Sequence, residues 1–397
     1  MRTIARIVLC ATALALSLWG CRGESRHAEA PRHSRVWLRC EANDWQRSPD
    51  WEFVDTGGGR YVLYDKDLYL DFIIDVKSAG KWNFPIWGGN SSDSLIVPNR
   101  PYRLARQWGR HVQLGYQVIH CDSIVFLADS SQNATSSHIT LHASQPARAF
   151  TRLQDTPTHQ HAVHHIRTGE PRQVLALGNS LTAYHHQDSM FNTIARQSGI
   201  DARWTSHCLG GASLATHWNG DAGTEGVACP SAHWLVCSRP WTHIVLQEQS
   251  LKPLYDPEGF AASVHRWVEF IRDLCPNHEV EILLVVNFPR ATLWNDYARI
   301  QQIISHNSLV VAHREGIRLS PIGTAYSLLC AASGPEETLT LYSDERHPSL
   351  AATYMAACIE MALVGGTPPH SIVWHPEALS DHEAQRMRLL AEEALRQ

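Results

Sequence analysis

From Gln173 to the C-terminus, short apolar runs alternate with amphipathic stretches, and this alternation restricts the fold more than any other feature of the chain. Residues 174–177, 203–209, 242–246, 281–288 and 317–319 read as strands. Between them, residues 190–197, the series Phe260, Val264, Trp267, Val268, Ile271 and the series Tyr297, Ile300, Ile304 have helical spacing. Asp256-Pro257 supplies a capping residue and an N1 proline for the second helix, and Gly316 ends the third. A core helix follows over 350–364, and Ser380-x-x-Glu383 opens a surface helix. Strands that feed helices return as parallel neighbours, so the pattern predicts an α/β domain over 173–397, a parallel sheet with helices on both faces. Ligands of such sheets collect at the carboxyl ends of the strands.

The preceding segment, 34–145, reads as β. Leu68, Leu70, Phe72, Ile74 and Val76 alternate with Tyr69, Asp71, Ile73, Asp75 and Lys77. Ala79-Gly80 breaks the run, 82–87 restarts it, and short segments follow around Val112 and Leu114, at 123–127 and at 138–142. Short strands at this spacing predict an antiparallel β-sandwich, jelly-roll-like. Residues 146–172 form a polar connector. Its His159, His161, His164 and His165 have no Cys or carboxylate companions, which favours a solvated linker over a metal site.

Arg2 and Arg6 precede an apolar run over 7–19, too short to span a bilayer and of the length of an export signal. The expectation is an exported protein of the periplasm or cell surface. Leu18-Trp19-Gly20-Cys21 resembles the bacterial lipoprotein processing site, which implies membrane anchoring through a lipidated Cys21; plain cleavage within 1–21 is the alternative. Export permits disulfides among the cysteines that follow, with Cys229 and Cys237 the first pair to test and Cys358 a buried free thiol. No Cys/His spacing fits zinc. A net charge of −5 argues against a nucleic-acid partner.

The chemistry gathers at four places after the predicted strands. The first is Val174-Leu-Ala-Leu-Gly-Asn-Ser-Leu-Thr182, which sets Ser180 where a strand turns into a helix, beside backbone N–H groups. That position suits a nucleophile, and equally a helix N-cap. Gly210-Gly211-Ala212-Ser213 follows the second strand, and Gln247-Glu248-Gln249-Ser250 the third. Near the C-terminus, Asp344 and His347 stand three apart, close enough for the carboxylate to hold the imidazole Nδ1 while Nε2 takes a proton from serine. A serine hydroxyl needs such a base to become nucleophilic.

Taken in order, Gly-x-Ser, Gly-Gly, a third-strand amide and Asp-x-x-His-Pro resemble the GDSL/SGNH hydrolase superfamily over 173–366. The blocks Gly-Asn-Ser-Leu-Thr, Gly-Gly-Ala-Ser-Leu, Leu-Gln-Glu-Gln-Ser and Asp-x-x-His-Pro-Ser are similar to those of a bacterial subgroup of exported members. The resemblance implies a flavodoxin-like sheet with Ser180 as nucleophile, His347 as general base and Asp344 as its orienting partner. It further implies an oxyanion hole from the backbone N–H groups of Ser180 and Gly211 and the side chain of Gln249, with Gln247 as the rival for that third donor. Two departures stand out: Asn179 replaces the usual Asp, and Gln247-Glu248-Gln249-Ser250 replaces Gly-x-Asn-Asp. Glu248 is expected to point into the structure and be hydrogen-bonded there.

The function so implied is an exported serine esterase using no metal or organic cofactor. The β domain bears a loose likeness to jelly-roll carbohydrate-binding modules of the galactose-binding type, carried by Gly109-Arg-His-Val-Gln-Leu and Cys121-Asp-Ser-Ile-Val-Phe-Leu. With 14 Trp in the chain, that likeness directs attention to O-acetyl esters on carbohydrate. A lipase or thioesterase of the same machinery, and a catalytically inactive glycan-binding surface protein, are the alternatives. The partner is then a small-molecule or carbohydrate ester.

Overall fold

A computed structural model of the chain describes residues 35–43, 47–76, 86–89, 95–105, 111–128, 137–154, 171–220 and 231–397. The export segment with Cys21, the histidines of the connector, and Cys229 lie outside these residues.

The N-terminal half contributes seven strands: β1 (Val36–Cys40), β2 (Val54–Asp55), β3 (Arg60–Val76), β4 (Ile86–Trp87), β5 (Tyr102–Arg103), β6 (Val112–Leu127) and β7 (His138–His142). Where the sequence suggests a sandwich, the described strands hydrogen-bond as one antiparallel sheet in the order β1-β3-β6-β7-β5, with β2 and β4 also on β3. The segments around Val112 and at 123–127 are parts of the single long strand β6. Its pairing with β3 shifts register between Tyr69 and Asp71, a bulge that re-aims side chains at that point. Leu38, Leu68, Phe72, Ile74, Ile119, Phe126 and Leu141 form the core of one face.

The C-terminal half runs β8 (Arg172–Gly178), α1 (Ser180–Ala183), α2 (Gln187–Gln197), β9 (Ala202–Cys208), α3 (Leu214–Asn219), α4 (Ala232–Ser238), β10 (His243–Leu246), α5 (Lys252–Tyr255), α6 (Pro257–Leu274), β11 (Glu281–Val285), α7 (Tyr297–Glu315), β12 (Arg318–Ser320), α8 (Ile322–Thr338), α9 (Leu350–Gly365) and α10 (Asp381–Ala394). The five strands are parallel, in the order β12-β11-β10-β8-β9. Strand residues point alternately to opposite faces, and both faces are covered. Val174 and Ala176 join a core with α2, α8, α9 and α10, whereas Leu175 and Leu177 join one with α3, α4, α6 and α7. The strand order reverses between β8 and β10, which makes the carboxyl end of β8 the topological switch point where ligands bind.

Residues 148–154, read above as the start of a polar connector, are packed against both halves. Arg148 exchanges backbone hydrogen bonds with Val118 of β6, and Leu153 is buried in the core beneath α6 and α7. Asn307 of α7 accepts from the Leu153 N–H at 2.9 Å and donates to the carbonyl of Pro253 at 2.7 Å. A mixed apolar cluster joins the halves, with Tyr69 and Val118 from the antiparallel sheet against Leu251, Leu254, Tyr255, Ile300 and Ile304.

Among the described residues no helix is long and apolar enough to cross a membrane, and no group of side chains could hold a metal ion. Cys237 is exposed and Cys358 buried, and no disulfide joins any two of the described cysteines.

Candidate active site

The last residue of β8, Gly178, is a glycine where the space beside the backbone is already taken. A Cβ there would stand 3.0 Å from Gln247 Oε1 and 3.1 Å from Thr182 Oγ1. The Gly178 carbonyl accepts from the Leu209 N–H at 3.1 Å and from His217 Nε2 at 2.8 Å. Burial pushes His217 down to about 4, with His207 adding to the effect and the Gly178 bond opposing it, so its ring stays neutral. Asn179 then caps α1, its side-chain oxygen accepting from the Leu181 N–H at 3.0 Å. Ser180 is therefore the first residue of the helix and not its cap. Its hydroxyl is left for other work.

The other two groups come from the loop ahead of α9, which is held as a narrow turn. Ser343 N–H donates to the His347 carbonyl at 2.9 Å, and Ser349 N–H to Leu341 at 2.8 Å. Within the turn, Asp344 Oδ1 accepts from the backbone N–H groups of Arg346 and His347, each at 2.8 Å. Asp344 Oδ2 lies 2.8 Å from His347 Nδ1, and His347 Nε2 lies 3.0 Å from Ser180 Oγ. Burial alone would raise the Asp344 carboxyl, but the backbone and side chain of His347 and the backbone of Arg346 outweigh it and hold the group below its ordinary value. Ser180, far from the other two in sequence, thus meets His347 and Asp344 in one line of hydrogen bonds. Asp344 accepts a hydrogen bond from the imidazole Nδ1–H, and Nε2 is turned to the serine.

The position of Gly211 follows from its backbone, with φ at +72°, the left-handed region that favours glycine. The N–H groups of Ser180 and Gly211 find no acceptor among the described residues. Both belong to turns that follow the neighbouring strands β8 and β9. Gln249, the third position, is held by its amide oxygen. Its Oε1 accepts from the N–H groups of Leu251 and Lys252 and from the Tyr255 hydroxyl, so the amide oxygen closes the entry to α5. Its Nε2 lies 3.4 Å from Ser250 Oγ. Gln247 is committed beneath the serine turn, accepting from Asn179 N–H at 2.9 Å and donating to Asn287 Oδ1 at 3.2 Å. Glu248 is fully buried and accepts from the N–H groups of Leu214 and Gln249.

Three side chains that the sequence reading passed over belong to this assembly. Tyr184 lies flat on the His347 ring, with centroids 4.4 Å apart and planes 9° from parallel. It leads into His185 and His186, both left-handed, and His185 Nε2 reaches Ser343 Oγ at 2.9 Å. Asn287 donates to the carbonyls of Glu248 and Gln249 and so pins the third block. Its signal in the sequence is a lone amide interrupting the apolar run 281–288. Arg346, inside the Asp344–His347 turn, reaches His111, the residue ahead of β6.

No family model and no curated protein matches the chain. Among solved structures, the chain is similar to a DUF4886 family protein from Bacteroides uniformis, 18% identical, with 57% of this chain and 95% of that one covered at a TM-score of 0.47. It is also similar to the acetylxylan esterase Axe2 from Geobacillus stearothermophilus, 12% identical, covering 50% and 96% at a TM-score of 0.38. A third is LAE5, an alpha/beta hydrolase enzyme from the metagenome of Lake Arreo, 14% identical, covering 49% and 95% at a TM-score of 0.38.

Proposed function

We propose that the protein is an exported serine esterase that hydrolyses short-chain carboxylic esters, O-acetyl esters of carbohydrate in particular, through an acyl-enzyme on Ser180. The observation that carries this reading is the unbroken relay from Ser180 Oγ to His347 Nε2 at 3.0 Å and from His347 Nδ1 to Asp344 at 2.8 Å. The serine oxygen attacks the ester carbonyl carbon while its proton passes to His347 Nε2. Asp344 steadies the imidazolium so formed. The oxyanion is received by the N–H groups of Ser180 and Gly211, which have no acceptor of their own among the described residues. Collapse breaks the bond to the alcohol, which leaves with the proton from His347. Water, deprotonated by the same nitrogen, then releases the acid and restores the serine.

The acetyl group and the carbohydrate alcohol are supported by the loose likeness of the 34–145 segment to jelly-roll carbohydrate-binding modules and by the 14 Trp of the chain. Export is supported by the Arg2, Arg6 and 7–21 pattern. The test is a series of chromogenic esters from acetyl to octanoyl together with a fluorophosphonate probe. Turnover falling with chain length, and labelling lost in Ser180→Ala, are expected. Activity that survives Ser180→Ala would refute the mechanism, and a preference for octanoyl would move the protein to the lipases.

A further inference from the structure

We infer that Asp71, His111 and Arg346 are positioning residues for the catalytic loop, so that the antiparallel sheet is part of the hydrolytic apparatus. The inference rests on the reading of Ser180, His347 and Asp344 as the reacting groups. Asp344 and Glu345 are exposed and Arg346 and His347 half-buried, so the turn that carries the base stands away from the core. Packing alone does not fix such a turn. Its own hydrogen bonds fix its shape, but its distance from Ser180 must be set from outside.

Tyr184 and His185 hold it from the side of the serine turn, and on the opposite side two contacts both lead to Asp71. Arg346 Nη2 lies 3.0 Å from His111 Nδ1 and 3.3 Å from His111 Nε2, so the guanidinium rests on the edge or face of that ring. His111 Nδ1 lies 2.6 Å from Asp71 Oδ2. An arginine only donates, so with Nδ1–H given to the carboxylate the unprotonated Nε2 is the ring's acceptor for Arg346. The second contact starts at Arg290, whose Nη1 donates to Asp71 Oδ1 at 3.2 Å. The next residue, Ala291, gives its N–H to the carbonyl of Glu345 at 2.9 Å. One carboxylate on β3 therefore holds the loop at two successive residues, Glu345 and Arg346.

The bulge in β6 opposite this stretch of β3 and the burial of the pair point the same way. Tyr69 and Asp71 are two apart on one strand and lie where β3 and β6 shift register. Tyr69 stacks on Tyr255 at 3.7 Å, and the Tyr255 hydroxyl donates to Gln249, so the same face reaches the third block as well. Asp71 and Arg290 are 5% and 6% exposed. Burial, and then the neighbouring Arg346, push the Arg290 guanidinium well below its ordinary value, with Glu345 opposing them. A buried ion pair of this kind is a poor source of stability against an apolar pair of the same size. What it does supply is a fixed direction between two surfaces. That is what a general base needs, since a shift of about 1 Å in a reacting group can cost about a hundredfold in rate.

The experiment uses the full-length chain with Arg346→Ala, Asp71→Asn, the double variant and, as a control on the same sheet, Glu52→Gln, which breaks an exposed pair with Arg35. Two quantities are read: kcat and KM on an acetyl ester, and hydrogen exchange at the amides of Arg346 and His347. Arg346→Ala and Asp71→Asn should each lower kcat by about tenfold or more with KM unchanged and speed exchange at those amides. The double variant should cost no more than the worse single one, because both cut the same chain of contacts. Glu52→Gln should change neither quantity. Arg346 lies on a half-exposed turn, so its alanine variant decides the matter if Asp71→Asn does not fold. Arg346→Ala with wild-type kcat and wild-type exchange overturns the inference. A wild-type protein with no turnover and no labelling of Ser180 overturns the esterase reading instead. Exchange at the loop then decides the positioning role alone, and unchanged exchange refutes it.

Discussion

Asn179 donates its side-chain amide to the carbonyl of Ala212 at 2.9 Å, tying the serine turn to the Gly-Gly turn beside it. The same nitrogen lies 3.3 Å from the carbonyl of Glu248, so one NH2 joins all three strand ends. This explains why an amide and not a carboxylate precedes Ser180. An Asp here would keep the capping oxygen but turn its second oxygen on two carbonyls, at a site 2% exposed. Asn179→Asp is expected to destabilise the fold by about 3 kcal/mol, the cost of a buried, uncompensated charge. Urea unfolding at neutral pH measures this, and an unchanged midpoint would mean that the turn is not so held.

Tyr184 restrains the His347 ring by its face. Stacked rings of this kind contribute about 0.5–1.5 kcal/mol beyond area burial. Tyr184→Ala should therefore lower kcat by about 3- to 10-fold, and Tyr184→Phe should leave it within about twofold because the ring is retained. Equal losses in the two variants would show that the hydroxyl matters instead.

Asp344→Asn removes the charge that steadies the imidazolium while keeping a side chain of the same shape on an exposed turn. A fall in kcat of about 10³–10⁴ with an unchanged melting temperature is expected. Wild-type turnover in this variant would place the orienting role elsewhere.

These three sites differ in how openly the sequence shows them. A glycine, an asparagine and a serine after an apolar run identify a strand-to-helix turn by residue type alone, and the structure has that turn at the end of β8. Asp344 and His347 are close in sequence, so their pairing is a local matter. Asp71 and Asp75 are different. Alternation marks them as one face of β3, but alternation does not say what covers a face. Both are buried, Asp71 against Arg290 and Asp75 against Arg39 and Arg47. Helix α8 was illegible for another reason: its residues are apolar and small on most sides, which leaves no stripe to count, and Gly334-Pro335 kinks it near its end. Gln249 reads as a donor by its place after the third strand. In the fold its oxygen is spent on the entry to α5, a local bond that residue type alone does not signal.

Glu360 makes stability depend on pH. It is fully buried on α9, accepts from the Ser320 hydroxyl at 2.7 Å, and has its other oxygen without a partner among the described residues. Burial pushes the carboxyl up to about 7, against the pull of Ser320 and of the Arg318 charge. In the unfolded chain it ionises near its ordinary 4.5. The stabilisation from the neutral form is therefore complete below 4.5 and is lost as pH rises to 7. Relative to Glu360→Gln, the wild type should lose about 3 kcal/mol across that window, at about 1.36 kcal/mol per unit. Denaturant unfolding of both proteins at pH 4.5, 6 and 8 checks this, and a constant difference would refute it.

The short segment 148–154 bears on where this protein can be divided. Leu153 is sealed under the parallel sheet, and Asn307 spends its amide on Thr151, Leu153 and Pro253. A recombinant C-terminal half that starts at residue 171 would lack a plug its interior is shaped around and would strand the Asn307 carbonyl in apolar surroundings. The chain passes from one half to the other between Arg148, which pairs with β6, and Leu153, which enters the core of the parallel sheet. A shortened version that hopes to stay soluble must carry those few residues with it.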